Sequence, residues 1–172
     1  DNINMDIILG LPGEGINELR YTLDKIKELK PESLTVHSLA IKRAAALNIW
    51  REKYEDLKFE NGDETVSLAQ KYAGDIGCMP YYMYRQKNMA GNLENVGYSV
   101  PGKECIYNIL IMEEKQTIIA MGAGASTKAV FDADQPNPRI ERVENVKDLT
   151  SYISRIDEMI ERKRLFFDNN ML

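Results

Sequence analysis

The first forty residues constrain this chain most. An unbroken apolar strand runs into a Gly/Pro turn, an amphipathic helix and a second apolar strand. Ile3–Leu9 holds Ile3, Met5, Ile7, Ile8 and Leu9. Such a run predicts a strand covered on both faces, as in a parallel sheet. Gly10-Leu-Pro-Gly13 ends it. Over Glu14–Lys30, Ile16, Leu19, Leu23, Ile26 and Leu29 share one helical stripe, with charged residues on the rest. Pro31 closes that helix, and Ser33–Ile41 reads as the next strand. Strand, helix and strand with connections this short make a parallel, right-handed βαβ unit. The chain begins at Asp1 with no Met, and a protein seldom opens on a central parallel strand with no lead-in, so the chain is expected to be a piece of a longer protein.

Farther along, Lys42–Phe59 has helical spacing through Leu47, Trp50, Tyr54 and Leu57 but many charges, and predicts a surface helix or a mobile excursion. Gly62-Asp63 precedes a helix over Glu64–Ile76, with Gly77 suited to its end. Tyr81–Gln86 reads as a strand and Lys87–Lys103 as a long polar loop. Cys105–Met112 is apolar again. Gln116–Met121, Thr127–Phe131 and Arg139–Val143 read as short strands, with Asp132–Pro138 as a turn. One terminal helix is expected over Val146–Phe166, capped by Asn145. The pattern is α/β: βα units in residues 1–78, then an α+β region in residues 79–172 with a mixed sheet and a terminal helix.

Hydrophobic residues make up 44% of the chain and charged ones 28%, enough for a globular core. A net charge of -5 speaks against a nucleic-acid surface, which needs clustered Lys and Arg. No apolar run approaches the roughly 20 residues of a membrane span. The two cysteines, Cys78 and Cys105, fit no metal-binding spacing and read as buried or half-buried thiols of a reducing compartment.

Several residues are candidates for chemistry. Asp6 is a carboxylate within an apolar strand, so it needs either a ligand or a structural ion-pair partner. Gly10-Leu-Pro-Gly-Glu14 ends a parallel strand, where α/β folds hold ligands, although plain βα turns look the same. His37 is the one histidine; without ligand partners it reads as a hydrogen-bonded residue of the core or of a barrel lumen. In Tyr81–Asn88, alternation puts Tyr82, Tyr84 and Gln86 on one face and Tyr81, Met83, Arg85 and Lys87 on the other. Flat aromatics suit a flat conjugated ligand and basic residues suit carboxylates, while a half-buried strand with a solvated basic end gives the same pattern. Met121-Gly-Ala-Gly-Ala-Ser126 is a close-approach turn for a cofactor or an ordinary tight turn.

In this order, Asp6–Glu14, Pro80–Asn95 and Gly97-Tyr-Ser-Val-Pro-Gly-Lys-Glu104 through Ser126 resemble the C-terminal part of radical S-adenosylmethionine (SAM) enzymes. The resemblance is to the oxygen-independent coproporphyrinogen III oxidase-like proteins. Tyr82–Asn88 and Met112-Glu-Glu114 point to the HemZ branch. The resemblance implies the last βα units of a partial TIM-like barrel. It implies a cytoplasmic enzyme of porphyrin biosynthesis whose full-length form holds SAM and a 4Fe–4S cluster and oxidatively decarboxylates propionates of a tetrapyrrole. The CxxxCxxC cluster motif of that family is absent from this sequence. No catalytic residue, no metal ligand and no bound cofactor are therefore expected in the fragment itself. Carried over residue by residue, the resemblance assigns Asp6, Gly10, Pro12, Ala40, Gly122, Gly124 and Ala125 to SAM. It assigns Tyr82, Tyr84, Arg85 and Lys87 to the tetrapyrrole. A haem-binding, haem-delivering relative is the alternative within the family. A barrel cut open at Ile3–Leu9 leaves a strand edge through which the fragment is expected to dimerise.

Overall fold

The computed structural model describes residues 2–40, 62–85 and 94–170. The excursion expected over Lys42–Phe59 lies outside them, as does Lys87. Two compact units emerge, Asp1–Ile109 and Leu110–Leu172. The boundary expected after residue 78 falls inside the first.

The first unit begins as read. Strand β1 (Asn4–Leu9) leads through the Gly/Pro turn into helix α1 (Ile16–Leu29) and back to β2 (Ser33–Ser38), parallel to β1. Helix α2 (Asp63–Asp75) precedes β3 (Met79–Tyr84) and β4 (Asn95–Ser99). The four strands form one sheet in the order β1-β2-β4-β3, with β4 antiparallel to both neighbours. Strand β4 corrects the long loop expected over Lys87–Lys103. Val96 and Tyr98 alternate with small residues there, and that period-two signal fills the space beside β2.

The core lies on one face of this sheet. Ile7 and Leu9 of β1, Leu34 and Val36 of β2 and Tyr98 of β4 are buried with Leu19, Leu23 and Ile26 of α1 and Ala69 and Ala73 of α2. Fully buried alanines let α2 pack closely. The opposite face corrects the expectation of a strand covered on both sides. Asn4, Asp6 and Ile8 alternate with the buried residues of β1 and are exposed. Strands β1 and β3 are the edges of this sheet among the described residues.

The second unit pairs β5 (Ser126–Phe131) with β6 (Arg139–Glu144), antiparallel, around buried Thr127, Ala129 and Val143. Helix α3 (Ile106–Met112) runs across the boundary in sequence. The strand expected over Gln116–Met121 reduces to a single bridge, Ile118 with Lys128. Threonine hydroxyls take the places of ladder carbonyls on either side. Thr117 Oγ1 accepts from the Val130 amide at 3.0 Å, and Thr127 Oγ1 accepts from the Ala120 amide at 3.0 Å. The single terminal helix is also corrected. It divides into α4 (Leu149–Ser154) and α5 (Ile156–Asn170) at Arg155, whose φ of -117° is not helical. Asp148, not Asn145, is the N-cap, its Oδ1 accepting from the Ser151 amide at 2.8 Å. Asn145 is occupied elsewhere: its side-chain Nδ2 donates to the Gly122 carbonyl at 2.8 Å, and its side-chain oxygen accepts from Lys163.

Candidate functional site

Residue register brings Asp6, Tyr82 and Tyr84 onto the sheet face opposite the helices. Asp6 of β1 is opposite Thr35 of β2, Thr35 is opposite Gly97 of β4, and Gly97 is opposite Tyr82 of β3. Paired residues share a face, so these four form one row across the sheet. His37 lies one pleat farther along, opposite Ile8. Its Nε2 is 3.9 Å from Asp6 Oδ1, beyond hydrogen-bond length. Asp6 instead accepts from the Asn4 amide at 2.9 Å, and its side chain is 60% exposed. The carboxylate is thus neither buried nor tied into a strong pair. A structural ion pair is the alternative read from sequence; the geometry gives Asp6 an exposed side chain 3.9 Å from His37.

Tyr82 lies across the row. Its ring covers Gly97, and burial pushes its hydroxyl above the usual tyrosine range. Tyr82 therefore stays neutral through the physiological range. Tyr84 follows two residues on, its ring 6.4 Å away and nearly parallel, at 8°. The shared face expected of Tyr82 and Tyr84 is what the strand shows. Tyr81 departs from expectation. A bulge between Pro80 and Tyr82 adds a residue to β3 and brings Tyr81 to the same side. Its ring meets Tyr82 edge-on at 4.8 Å, and its hydroxyl accepts from Asn108 at 3.0 Å. Tyr81 also lines a cleft of about 200 Å³ with Asn4, Ser33, Lys103 and Asn108, at the end of the sheet where the parallel strands begin. Arg85 is exposed and paired with Glu94 at 3.0 Å. An exposed pair of this kind is worth only about 0–1 kcal/mol, so a competing carboxylate can displace Glu94.

At the other end of the parallel strands, Leu11-Pro-Gly-Glu14 is a tight turn, the Glu14 amide donating to the Leu11 carbonyl at 3.1 Å. Gly13 has φ 80°, which the third position of a turn beginning Leu-Pro requires. Gly10 is buried with φ 79°, and Pro12 is half-buried. The start of α1 is already capped. Glu18 accepts from the Gly15 amide at 2.9 Å, and that bond holds its carboxyl below the usual range. A carboxylate in that place disfavours an anion at the start of the helix. Ala40 follows β2 in a single bridge and is half-buried.

Gly122, Gly124 and Ala125 belong to the second unit, where their backbone groups serve that unit's own hydrogen bonds. The Gly124 amide donates to Val146 at 2.8 Å, and the Gly122 amide to the Tyr152 hydroxyl at 3.0 Å. The Ala125 amide donates to the Gly122 carbonyl at 3.3 Å. Gly122 has φ 108° and Gly124 φ 70°, so both glycines are required by the turn itself.

The cysteines differ from expectation. Cys78 is buried in the core and donates to the Glu32 carbonyl at 3.5 Å, and burial pushes its thiol up. Cys105 is exposed, which corrects its reading as a buried or half-buried thiol. Among the described residues no three His, Cys, Asp or Glu side chains are grouped to hold a metal. No helix of those residues is long and apolar enough to cross a membrane. Sequence reasoning missed Thr35 and Gly97 as parts of the row. The alternation Val96–Tyr98–Val100 was the available signal for Gly97.

No family model matches this chain. It is 47% identical over 163 residues to the oxygen-independent coproporphyrinogen-III oxidase-like protein HemZ of Bacillus subtilis strain 168. That match covers 95% of this chain and 32% of the relative, so the chain spans about a third of the curated relative's length. Among solved structures it is similar to the coproporphyrinogen III oxidase HemN of Escherichia coli, described as a radical SAM enzyme. The TM-score is 0.54 at 16% identity, covering 90% of this chain and 34% of that one. At that identity the likeness speaks for the α/β fold with its mixed sheet. The resemblance to the HemZ branch, read from three segments, extends across nearly the whole chain.

Proposed function

We propose that this chain forms part of an oxygen-independent coproporphyrinogen III oxidase-like radical SAM enzyme acting in the cytoplasm on the propionates of a tetrapyrrole. The observation that carries the reading is the sheet face opposite the helices. It sets an exposed acceptor, Asp6, in one row with an aromatic wall, Tyr82 beside Tyr84. In this reading Asp6, Gly10, Pro12 and Ala40 of the first unit hold SAM. Tyr82 and Tyr84 take the flat face of the substrate, and Arg85 and Lys87 its carboxylates. Asp6 accepts hydrogen bonds from the hydroxyl or amino groups of the cofactor. Bound SAM with a 4Fe–4S cluster supplies hydrogen-atom abstraction. The residues of this chain orient the two partners. Cys78, turned into the core, and the isolated Cys105 do not make a donor set for the cluster, whose ligands then lie elsewhere in the full-length protein.

The full-length protein, reconstituted anaerobically with iron, sulfide and SAM, is expected to convert coproporphyrinogen III to vinyl-bearing product. Tight haem binding with no turnover overturns the oxidase reading in favour of haem delivery, which the same aromatic pair would serve. We also propose that the free β1 edge pairs with a second copy when this chain is isolated. Light scattering should then show a dimer, and a monomer at every concentration refutes it.

A further inference from the structure

Gly97 sits in the middle of β4, where glycine is a poor choice. It loses more backbone entropy than any other residue and packs nothing. Its φ lies outside the left-handed region, so its own conformation would admit alanine. The space above it would not. A Cβ built on Gly97 would stand 1.9 Å from Tyr82 Cε1, 2.5 Å from Cδ1 and 2.6 Å from Cζ. The Tyr82 ring therefore rests directly on the Gly97 backbone. Seated there, the ring lies nearly parallel to that of Tyr84, at 8°. With any side chain at 97 the ring must lift or rotate, because the obstacle would be a methyl fixed to a strand.

We infer that Gly97 is a positioning residue of the tetrapyrrole wall: by lacking a Cβ it seats Tyr82 in the orientation that holds its ring parallel to that of Tyr84. The inference rests on the proposed role of those two tyrosines. A purely structural role, a ring covering a gap left by glycine in a sheet, would change stability alone.

The test uses the full-length protein and coproporphyrin III as probe, with affinity read by fluorescence and ring placement by the Soret-band circular dichroism of the bound probe. Losing the stacking contact is expected to weaken binding about three- to tenfold. Gly97→Ala should show that loss and an altered Soret signal, as Tyr82→Ala does. The double variant has room for the added methyl and is expected to bind as Tyr82→Ala does, with no further loss, because Gly97 acts only through Tyr82. This comparison holds even if Gly97→Ala alone fails to fold. Wild-type affinity and signal in a folded Gly97→Ala, or a second loss in the double variant, overturn the inference while the role of Tyr82 stands. If Tyr82→Ala itself binds as wild type, the reading of the tyrosine wall falls first, and the inference with it.

Discussion

Replacing Asp6 by alanine separates a ligand-binding carboxylate from a structural one, because the two roles predict opposite pairs of results. In the folded chain Asp6 is 60% exposed, accepts one hydrogen bond from Asn4 and stands 3.9 Å from His37. Exposed contacts of this kind contribute about 0–1 kcal/mol, so Asp6→Ala should leave the urea midpoint almost unchanged. A charge-assisted hydrogen bond to a bound ligand contributes about 1.5–3 kcal/mol, or roughly ten- to hundredfold in affinity. The variant of the full-length protein should therefore fold normally, retain its iron–sulfur spectrum and bind SAM at least tenfold more weakly in calorimetric titration. Two results refute the reasoning. A stability loss above about 2 kcal/mol makes Asp6 a structural partner, since no exposed pair contributes so much. Normal stability with wild-type SAM affinity leaves the carboxylate with no role at this site.

On the covered face of the same sheet the balance reverses. Leu34 is fully buried in β2, so Leu34→Ala should destabilise the first unit by about 2–5 kcal/mol in a denaturant titration; a loss under 1 kcal/mol would mean that the site collapses around the cavity. In the native protein a maleimide probe should modify Cys105 rapidly and Cys78 only on unfolding, because Cys78 is buried with its thiol pKa raised. Equal labelling refutes the placement of Cys78 in the core. In α5 the Arg155 guanidinium, with Arg162 beyond it, holds the Glu158 carboxyl down to about 2, against an ordinary 4.5. A depressed folded-state pKa stabilises above the unfolded value and loses that effect as pH falls through the folded one. The melting-temperature advantage of wild type over Glu158→Gln should thus be full above about pH 4.5 and gone near pH 2, and weaker in salt. An advantage independent of pH would refute the pairing.

The βαβ unit was legible in sequence because its signals are local: the apolar run of β1, the stripe Leu19–Leu23–Ile26 and Pro31 after the helix each act within a few residues. The two tyrosines on one face followed from the period-two pleat for the same reason. Sequence also pointed to the family, and to Asp6 as an odd residue in an apolar strand. Tertiary structure decided what local pattern cannot carry. Whether Asn4, Asp6 and Ile8 meet helices or open space depends on which side α1 and α2 pack. A single bulged residue moved Tyr81 across the sheet, since one extra residue inverts the alternation. Asn145 looked like a helix cap until the Gly122 carbonyl, distant in sequence, claimed it. Gly97 gained its meaning only from the ring above it: the row Asp6–Thr35–Gly97–Tyr82 joins four strands, and only the pairing of those strands fixes which residues stand side by side.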